Sequence, residues 1–193
     1  MALPSLGFSG ALGTIKRYGA GALPKGTTVE DWPLEYSDLE PYYDLVEYGI
    51  GVSGKAGNIQ GKIDPNGNIF EGPRKREYPM APLRDTDFTQ MLTSAARKLG
   101  WNPHRSPGAI NSEPYRGRAV CACHGFGEQN GCHVRAKNST ATTTIPAALK
   151  TKNLTIFERA HVTRIRTDSG GKVTGVEYVR DARIIFSLRR WCC

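Results

Sequence analysis

The chain has 193 residues, of which 26 are Lys or Arg and 18 are Asp or Glu, so its formal net charge is +8. Hydrophobic residues make up 39% and charged residues 23%, the balance of an ordinary globular protein. No stretch approaches the roughly 20 apolar residues that a membrane-spanning helix needs. Residues 1–18 lack the charged start and compact apolar core of a secretory signal. Composition therefore excludes membrane-spanning, collagen-like and wholly disordered chains.

The positive charge is spread along the chain. The densest basic cluster, at residues 74–76, ends at Glu77, and no run of five basic residues occurs. A nucleic-acid-binding surface concentrates Lys and Arg on one face with aromatic residues between them. The charge pattern therefore predicts a solvated surface of mixed charge and no nucleic-acid partner.

The first clear element is a helix predicted over residues 37–50. Ser37 and Glu40 have the spacing of a capping box. Apolar residues follow at the intervals of one helix face, namely Leu39, Tyr43, Val46 and Ile50. Glycines at 49, 51 and 54 end the helix.

These glycines form a G-x-G-x-x-G motif over residues 49–54, the pattern of a dinucleotide-binding loop. That chemistry requires glycines that follow a strand and open a helix, so that backbone N–H groups face a pyrophosphate. Here the glycines follow a helix and no apolar periodicity comes after them. We therefore interpret them as a helix stop. Residues 55–82 are predicted to be a long loop with at most a small hairpin, and with a turn at residues 64–67.

A second helix is predicted over residues 86–100. Its apolar stripe consists of Phe88, Met91, Leu92, Ala95 and Leu99. Gly100 is a C-terminal stop signal, and Pro103 prevents continuation. Residues 102–120 are polar and rich in Pro and Gly, which indicates a loop.

The last part of the chain is predicted to be mainly β. A short helix is expected around residues 147–149, with Pro146 in its first turn. Strands are predicted at residues 154–158, 161–166 and 172–179, with a turn at residues 168–171. The fold class is therefore α+β: helices and long loops followed by a C-terminal antiparallel β-meander.

Five cysteines stand at positions 121, 123, 132, 192 and 193, and the first three lie within a segment that also holds two histidines. Three thiols and two imidazoles are enough for a four-coordinate zinc, although the usual C-x2-C pair is absent. An iron–sulfur cluster would need three or four thiolates. The third alternative is a glycine-rich loop of half-buried thiols with one disulfide at most. Cys121, Cys123 and Cys132 are thus candidate ligands, and no metal is assigned.

Several motifs occur in one order along the chain. They are Asp31-Trp32-Pro33-Leu34, Tyr36 to Tyr43, Ile50 to Gly54, Cys121-x10-Cys132, Ala136 to Thr140, Ile145 to Ala148, Ala160 to Ile165 and Thr174 to Tyr178. Together they resemble the middle of a flavin-dependent glucose–methanol–choline (GMC) oxidoreductase, of the bacterial choline dehydrogenase-like or sugar dehydrogenase branch. The resemblance covers roughly residues 15–179.

The resemblance implies an FAD enzyme that oxidises a CH–OH group of an alcohol or sugar and passes hydride to the flavin. It implies FAD as cofactor, an alcohol or sugar as substrate and an electron-transfer subunit as partner. Residues 31–136 would be a substrate-side and flavin-covering region with a Cys-rich loop, and residues 137–179 part of the FAD-binding domain. The residue that matches Val162 contacts the FAD adenine through its backbone, so Val162 is the one cofactor-binding residue that the resemblance supplies.

The chain also departs from the family pattern. Nothing matches the family's N-terminal glycine loop that holds the FAD diphosphate, or its C-terminal catalytic histidine. His104, His124, His133 and His161 match no catalytic position, so no catalytic residue is named. Residues 1–30 are an N-terminal extension without assignment, and residues 180–193 an aberrant tail with no expected strand. We therefore expect a central fragment that is catalytically incomplete by itself. The competing hypothesis is a small Cys/His metal-binding module whose basic tail contacts nucleic acid.

Overall fold

The computed structural model describes residues 10–123, 127 and 131–187. Within these residues the chain forms a few helices and two small antiparallel sheets, in agreement with the predicted α+β class. It divides into two compact units, residues 1–147 and residues 148–193. His124 and the terminal cysteines lie outside the described residues, as does the first part of the N-terminal extension.

The helices and strands follow one another in a simple order. The helices are α1 (Gly10–Tyr18), α2 (Tyr36–Ile50), α3 (Asp87–Lys98) and α4 (Thr144–Lys150), with a short 3-10 helix at Ala20–Ala22. The strands are β1 (Asn58–Ile59), β2 (Lys62–Ile63), β3 (His161–Thr167), β4 (Val173–Arg180) and β5 (Arg183–Ser187). Helix α1 lies in the segment for which the sequence predicted no element.

Helix α2 confirms the prediction over residues 37–50, but its cap differs. The helix begins at Tyr36, and the capping box is formed by Glu35 and Asp38. The predicted pair of Ser37 and Glu40 is wrong because the Glu40 carboxylate instead accepts a hydrogen bond of 2.8 Å from the backbone N–H of Lys75.

Helix α3 also agrees with its predicted position, and Thr86 caps its N-terminus. Gly100 has a φ of +75°, as a glycine that ends a helix requires. The apolar stripe nevertheless points to solvent in unit 1, because Phe88, Met91 and Leu92 are each more than half exposed. No residue of α3 is buried.

The loop after α2 contains the expected small hairpin, but its turn lies elsewhere. Strands β1 and β2 are joined by Gln60 and Gly61, whose φ angles are +51° and +87°. Two positive φ angles give a type I′ turn, which matches the twist of a hairpin. The predicted turn at residues 64–67 is present as well, with a hydrogen bond of 3.1 Å from Gly67 N to Asp64 O.

Unit 2 contains a three-stranded antiparallel sheet in the order β3–β4–β5. Strands β3 and β4 occupy the predicted positions. Strand β5 was not predicted; Asp181 and Ala182 connect it to β4, both with positive φ. The strand predicted at residues 154–158 is wrong, because these residues have no strand neighbour and Phe157 packs its ring against Tyr178 instead, with centroids 6.1 Å apart.

Candidate functional site

The G-x-G-x-x-G segment is the first candidate for a cofactor site, and its backbone N–H groups already have partners within unit 1. The Gly51 and Val52 N–H groups both donate to Glu47 O, at 2.8 and 3.1 Å. Ser53 exchanges two hydrogen bonds of 2.9 Å with Gly108. Gly54 N donates to a main-chain carbonyl at 3.0 Å, that of Met80.

Two N–H groups shortly after the motif, those of Ala56 and Gly57, donate to carboxylates. Ala56 N lies 2.9 Å from Glu77 Oε2, and Gly57 N lies 2.9 Å from Glu71 Oε2. A diphosphate cradle needs N–H groups that are free to face the ligand. The segment therefore does not fit the diphosphate of FAD, and its interpretation as a helix stop is confirmed.

The glycines of this segment allow aromatic rings to pack closely against the main chain. Gly51 ends α2 with a φ of +93°, and a Cβ there would lie 2.8 Å from the Tyr115 ring. A Cβ on Gly54 would lie 2.8 Å from the Tyr78 ring. Both positions therefore require glycine for reasons of structure alone.

A buried charge cluster lies beneath this segment and consists of Glu47, Glu71, Arg74 and Tyr78. The Arg74 guanidinium forms hydrogen bonds to both carboxylates and lies over the Tyr78 ring, 3.8 Å from its centroid. The Tyr78 hydroxyl donates to Glu71 Oε1 at 2.5 Å. Burial, and then this hydrogen bond, raise the pKa of Tyr78 well above its ordinary value.

The buried charge cluster has a structural role. Glu47 belongs to α2, whereas Glu71, Arg74 and Tyr78 belong to the loop after β2. The cluster therefore fixes that loop to the helix and, through Glu71, to the glycine segment. All four side chains are shielded from solvent, so none of them can meet a substrate in this unit.

A cavity of about 480 Å³ opens beside α3. We call it the α3 cavity. It is lined by helix residues together with the segments at 82–85 and 103–105 and by Lys55. His104 is one of its lining residues, so one of the four histidines noted in the sequence lies at a concave surface. Several polar side chains of this unit converge at the cavity.

Val162, the residue for which the family resemblance supplies a role, lies on β3 opposite Tyr178. Its residue surface is 51% exposed. Strand β3 is an edge of the described sheet, and the register shifts between Val162 and Arg164. Edge strands present backbone groups that no neighbouring strand occupies. Val162 is thus an exposed residue on an edge strand of the described sheet.

The three cysteines of the Cys-rich loop are free thiols. Hydrogen bonds from backbone N–H groups, that of Lys137 first, hold the pKa of the Cys132 thiol below its ordinary value. Burial raises the pKa of the Cys123 thiol. Within the described ranges, which omit residues 124–126 and 128–130, no group of three His, Cys, Asp or Glu side chains has the arrangement of a metal site. No ligand set is therefore assigned, and the predicted alternatives for Cys121, Cys123 and Cys132 stay predictions.

The described ranges also contain no helix that is both long enough and apolar enough to cross a membrane.

Comparison with known proteins identifies the family. The sequence pattern of the GMC oxidoreductases matches residues 28–190. The chain belongs to the GMC oxidoreductase family. The match extends beyond residue 179, where the resemblance was predicted to stop, and so includes strand β5. Family membership favours the oxidoreductase hypothesis over the competing Cys/His module.

Curated relatives give the same family. The chain is 30% identical over 172 residues to the gluconate 2-dehydrogenase flavoprotein of Pantoea cypripedii, an alignment that covers 84% of this chain and 28% of that protein. It is 29% identical over 150 residues to the fructose dehydrogenase large subunit of Gluconobacter japonicus, covering 77% of this chain and 25% of that subunit. For the 2-methyl-1,2-propanediol dehydrogenase of Mycolicibacterium austroafricanum, identity is 31% over 150 residues, with the same coverage of 77% and 25%. The chain thus spans about a quarter of the length of these relatives.

Sequence reasoning missed both the buried charge cluster and the α3 cavity. Their residues are ordinary charged residues scattered over tens of positions, and no spacing rule joins Glu47 to Arg74 or Lys55 to Arg97. One available signal was Arg74, the first residue of the densest basic cluster, which stands between Glu71 and Glu77. That local balance of charge indicates ion pairing, but it does not indicate which pairs are buried.

Proposed function

We propose that this chain is the central part of an FAD-dependent oxidoreductase that acts on CH–OH groups of alcohols or sugars. The family match over residues 28–190 carries the proposal. The names of three relatives support the substrate class, since they are dehydrogenases of gluconate, fructose and 2-methyl-1,2-propanediol. When bound, FAD supplies the electron sink that accepts hydride from the substrate carbon.

Within this function, residues 31–136 form the substrate-side and flavin-covering region, and residues 137–179 belong to the FAD-binding domain. The adenine lies against the backbone of Val162. Support comes from the position of Val162 on β3, an edge strand of the described sheet, where its surface is 51% exposed. The names "flavoprotein" and "large subunit" among the relatives support an electron-transfer subunit as partner.

The chain alone is catalytically incomplete. Hydride transfer requires the substrate carbon, the flavin and a base to meet in near-contact geometry. The N–H groups of the glycine segment are used inside the protein, so they cannot hold the diphosphate. No histidine of the chain matches the position of the family's base.

Activity can be tested with the purified chain, FAD, an artificial electron acceptor and a panel of alcohols and aldoses. We expect no turnover above a control with free FAD. Turnover above this control would contradict catalytic incompleteness, and His104, which lines the α3 cavity, would then be the first residue to replace with Ala.

The adenine contact can be tested by titration of the chain with FAD and with AMP, followed through flavin fluorescence and competition. Val162→Pro removes the backbone N–H and is expected to weaken binding of both ligands, whereas Val162→Ala retains the backbone and should bind as before. Ile165→Pro, on the same edge strand, controls for general damage to the sheet. Equal binding by the Val162→Pro chain and the unaltered chain would contradict the adenine contact, as would equal losses in both proline variants.

A further inference from the structure

The turn at residues 64–67 places an Asn-Gly dipeptide at the surface of unit 1. The side chain of Asn66 is exposed, and Gly67 follows it directly. The backbone nitrogen that follows an asparagine can attack the carbon of the side-chain amide. Glycine obstructs this attack least, because it has no Cβ. The dipeptide is therefore a chemically reactive pair that the proposed function does not use.

The conformation of the turn opposes that reaction. The Gly67 N–H donates to Asp64 O at 3.1 Å, and Pro65 occupies the second position. The φ angle of Asn66 is not positive, so the turn is of type I rather than type II. In a type I turn the ψ angle of the third residue is about 0°. Such an angle directs Gly67 N away from the Asn66 side chain, and ring closure requires the turn to open.

The side chain of Asn66 is also held in place. Asp64 Oδ1 accepts hydrogen bonds from Asn66 N at 2.9 Å and from Asn66 Nδ2 at 3.0 Å. Asp64 Oδ2 lies 3.1 Å from Lys55 Nζ. The hydrogen bond from Asn66 N, and then that from Lys55, hold the pKa of the Asp64 carboxyl below its ordinary value. Asp64 is therefore an ionised acceptor at neutral pH.

The main chain at Gly67 is closely packed. Gly67 is buried, and a Cβ there would lie 2.5 Å from both Ala56 C and Gly57 N. The Asp64 N–H donates to Gly57 O at 2.9 Å and ties the other end of the turn to the same segment. Ala56 belongs to the buried apolar cluster of unit 1. The turn therefore cannot shift at Gly67 without disturbing the interior.

We propose that Asn66 is a site of spontaneous deamidation, which the folded turn restrains. Gly67 N forms a bond to Asn66 Cγ, the bond from Cγ to Nδ2 breaks, and ammonia leaves with the proton of the Gly67 N–H. Water then opens the cyclic imide at either of its two carbonyl groups, which gives aspartate or isoaspartate at position 66. The step needs no reactant besides water, and it does not rest on the proposed function.

The isoaspartate product has a structural consequence. Its main chain runs through Cβ and is longer by one atom immediately before Gly67. Because Gly67 has no free space beside Ala56 and Gly57, the product cannot keep both the turn and this packing. We therefore expect the reacted chain to be less stable than the unaltered chain.

The experiment follows position 66 in the purified chain during incubation at neutral pH. Peptide mapping with mass spectrometry separates asparagine, aspartate and isoaspartate. A synthetic peptide of residues 60–70 is the unfolded reference. We expect the peptide to react at least about tenfold faster than the chain, because only in the chain must the turn open first.

The matched variants are Asp64→Ala and Asp64→Asn. Both remove the charge that pairs with Lys55, but asparagine keeps a side-chain oxygen that can accept from Asn66 N. We expect the Asp64→Ala chain to react at least about fivefold faster than the unaltered chain and the Asp64→Asn chain less than about twofold faster. The same substitutions in the peptide should leave its rate nearly unchanged. Circular dichroism establishes that both variant chains are folded.

Equal rates in the chain and the peptide would overturn the restraint, and an unreactive peptide would overturn the site. Asp64→Asn reacting as fast as Asp64→Ala would overturn the role of the Oδ1 hydrogen bonds. Urea denaturation of the isoaspartate fraction tests the consequence, and an unchanged midpoint would overturn the packing argument. No FAD is present in these measurements, so their failure leaves the adenine test at Val162 unaffected.

Discussion

Helix α3 and the buried charge cluster are opposite cases within one unit. The helix has the clearest apolar periodicity in the sequence, yet Met91 is 63% exposed and Leu99 is 69% exposed. The cluster is made of charged residues, yet Arg74 is only 3% exposed and Glu71 only 3%. In this unit the apolar residues of α3 are therefore exposed, whereas the charged residues of the cluster are buried.

The comparison teaches that buried charged residues join apolar ones in the interior of unit 1. Its fully buried apolar cluster is small and consists of Val52, Ala56 and Tyr78. Long loops with few apolar residues must satisfy their main-chain groups through side chains, and Glu71 and Glu77 do so for the glycine segment. Three predictions sharpen this comparison.

The largest effect is expected for Arg74→Met. Removal of the guanidinium leaves Glu47 and Glu71 buried without a counter-charge, which costs about 3–5 kcal/mol of unfolding free energy. Arg76→Met is the matched control, because Arg76 also binds a carboxylate, that of Asp44 at 2.7 Å, but its side chain is 50% exposed. The control should cost about 1 kcal/mol or less. Urea denaturation measures the unfolding free energy of both variants. If the two lose similar amounts of unfolding free energy, burial of the ion pairs adds nothing to their contribution to stability.

A second pair applies the same substitution at a buried and at an exposed methionine. Met80 is 2% exposed, and Met91 on α3 is 63% exposed. We expect Met80→Ala to cost about 2–5 kcal/mol through lost packing and Met91→Ala about 0.5 kcal/mol or less. Thermal and urea unfolding provide the measurement. A large loss for Met91→Ala would show that the apolar face of α3 is covered in solution.

The smallest effect concerns pH. A hydrogen bond from Arg76 holds the pKa of Asp44 below its usual range. The unfolded chain therefore binds this proton at higher pH than the folded chain, and the stabilisation is lost as pH falls from about 4 through the lower folded pKa. In the Asp44→Asn chain this contribution is absent. Its unfolding free energy should therefore fall less on acidification than that of the unaltered chain, by less than about 1 kcal/mol. Urea denaturation at a series of pH values measures this difference. If the unfolding free energy of the two chains falls equally as the pH is lowered, the stabilising role of Asp44 is contradicted.

Local signals determined the positions of helices α2 and α3 but did not reveal α1. Helices α2 and α3 appear where apolar periodicity and terminal glycines coincide, because both effects act within a few positions. The family followed from motifs in a fixed order, and the match over residues 28–190 confirms it. The rejection of a dinucleotide loop at residues 49–54 also rested on local order, since the glycines follow a helix.

Tertiary structure decided the rest. Strand β5 forms because β4 offers a partner and Asp181 and Ala182 adopt positive φ, whereas residues 154–158 have no partner strand. The pairing of Glu47 with Arg74 and the gathering of Lys55, Arg97 and Arg105 around one cavity join positions far apart in the sequence. Periodicity and capping carry no information on such contacts, because they depend on which distant segments the folded chain brings together.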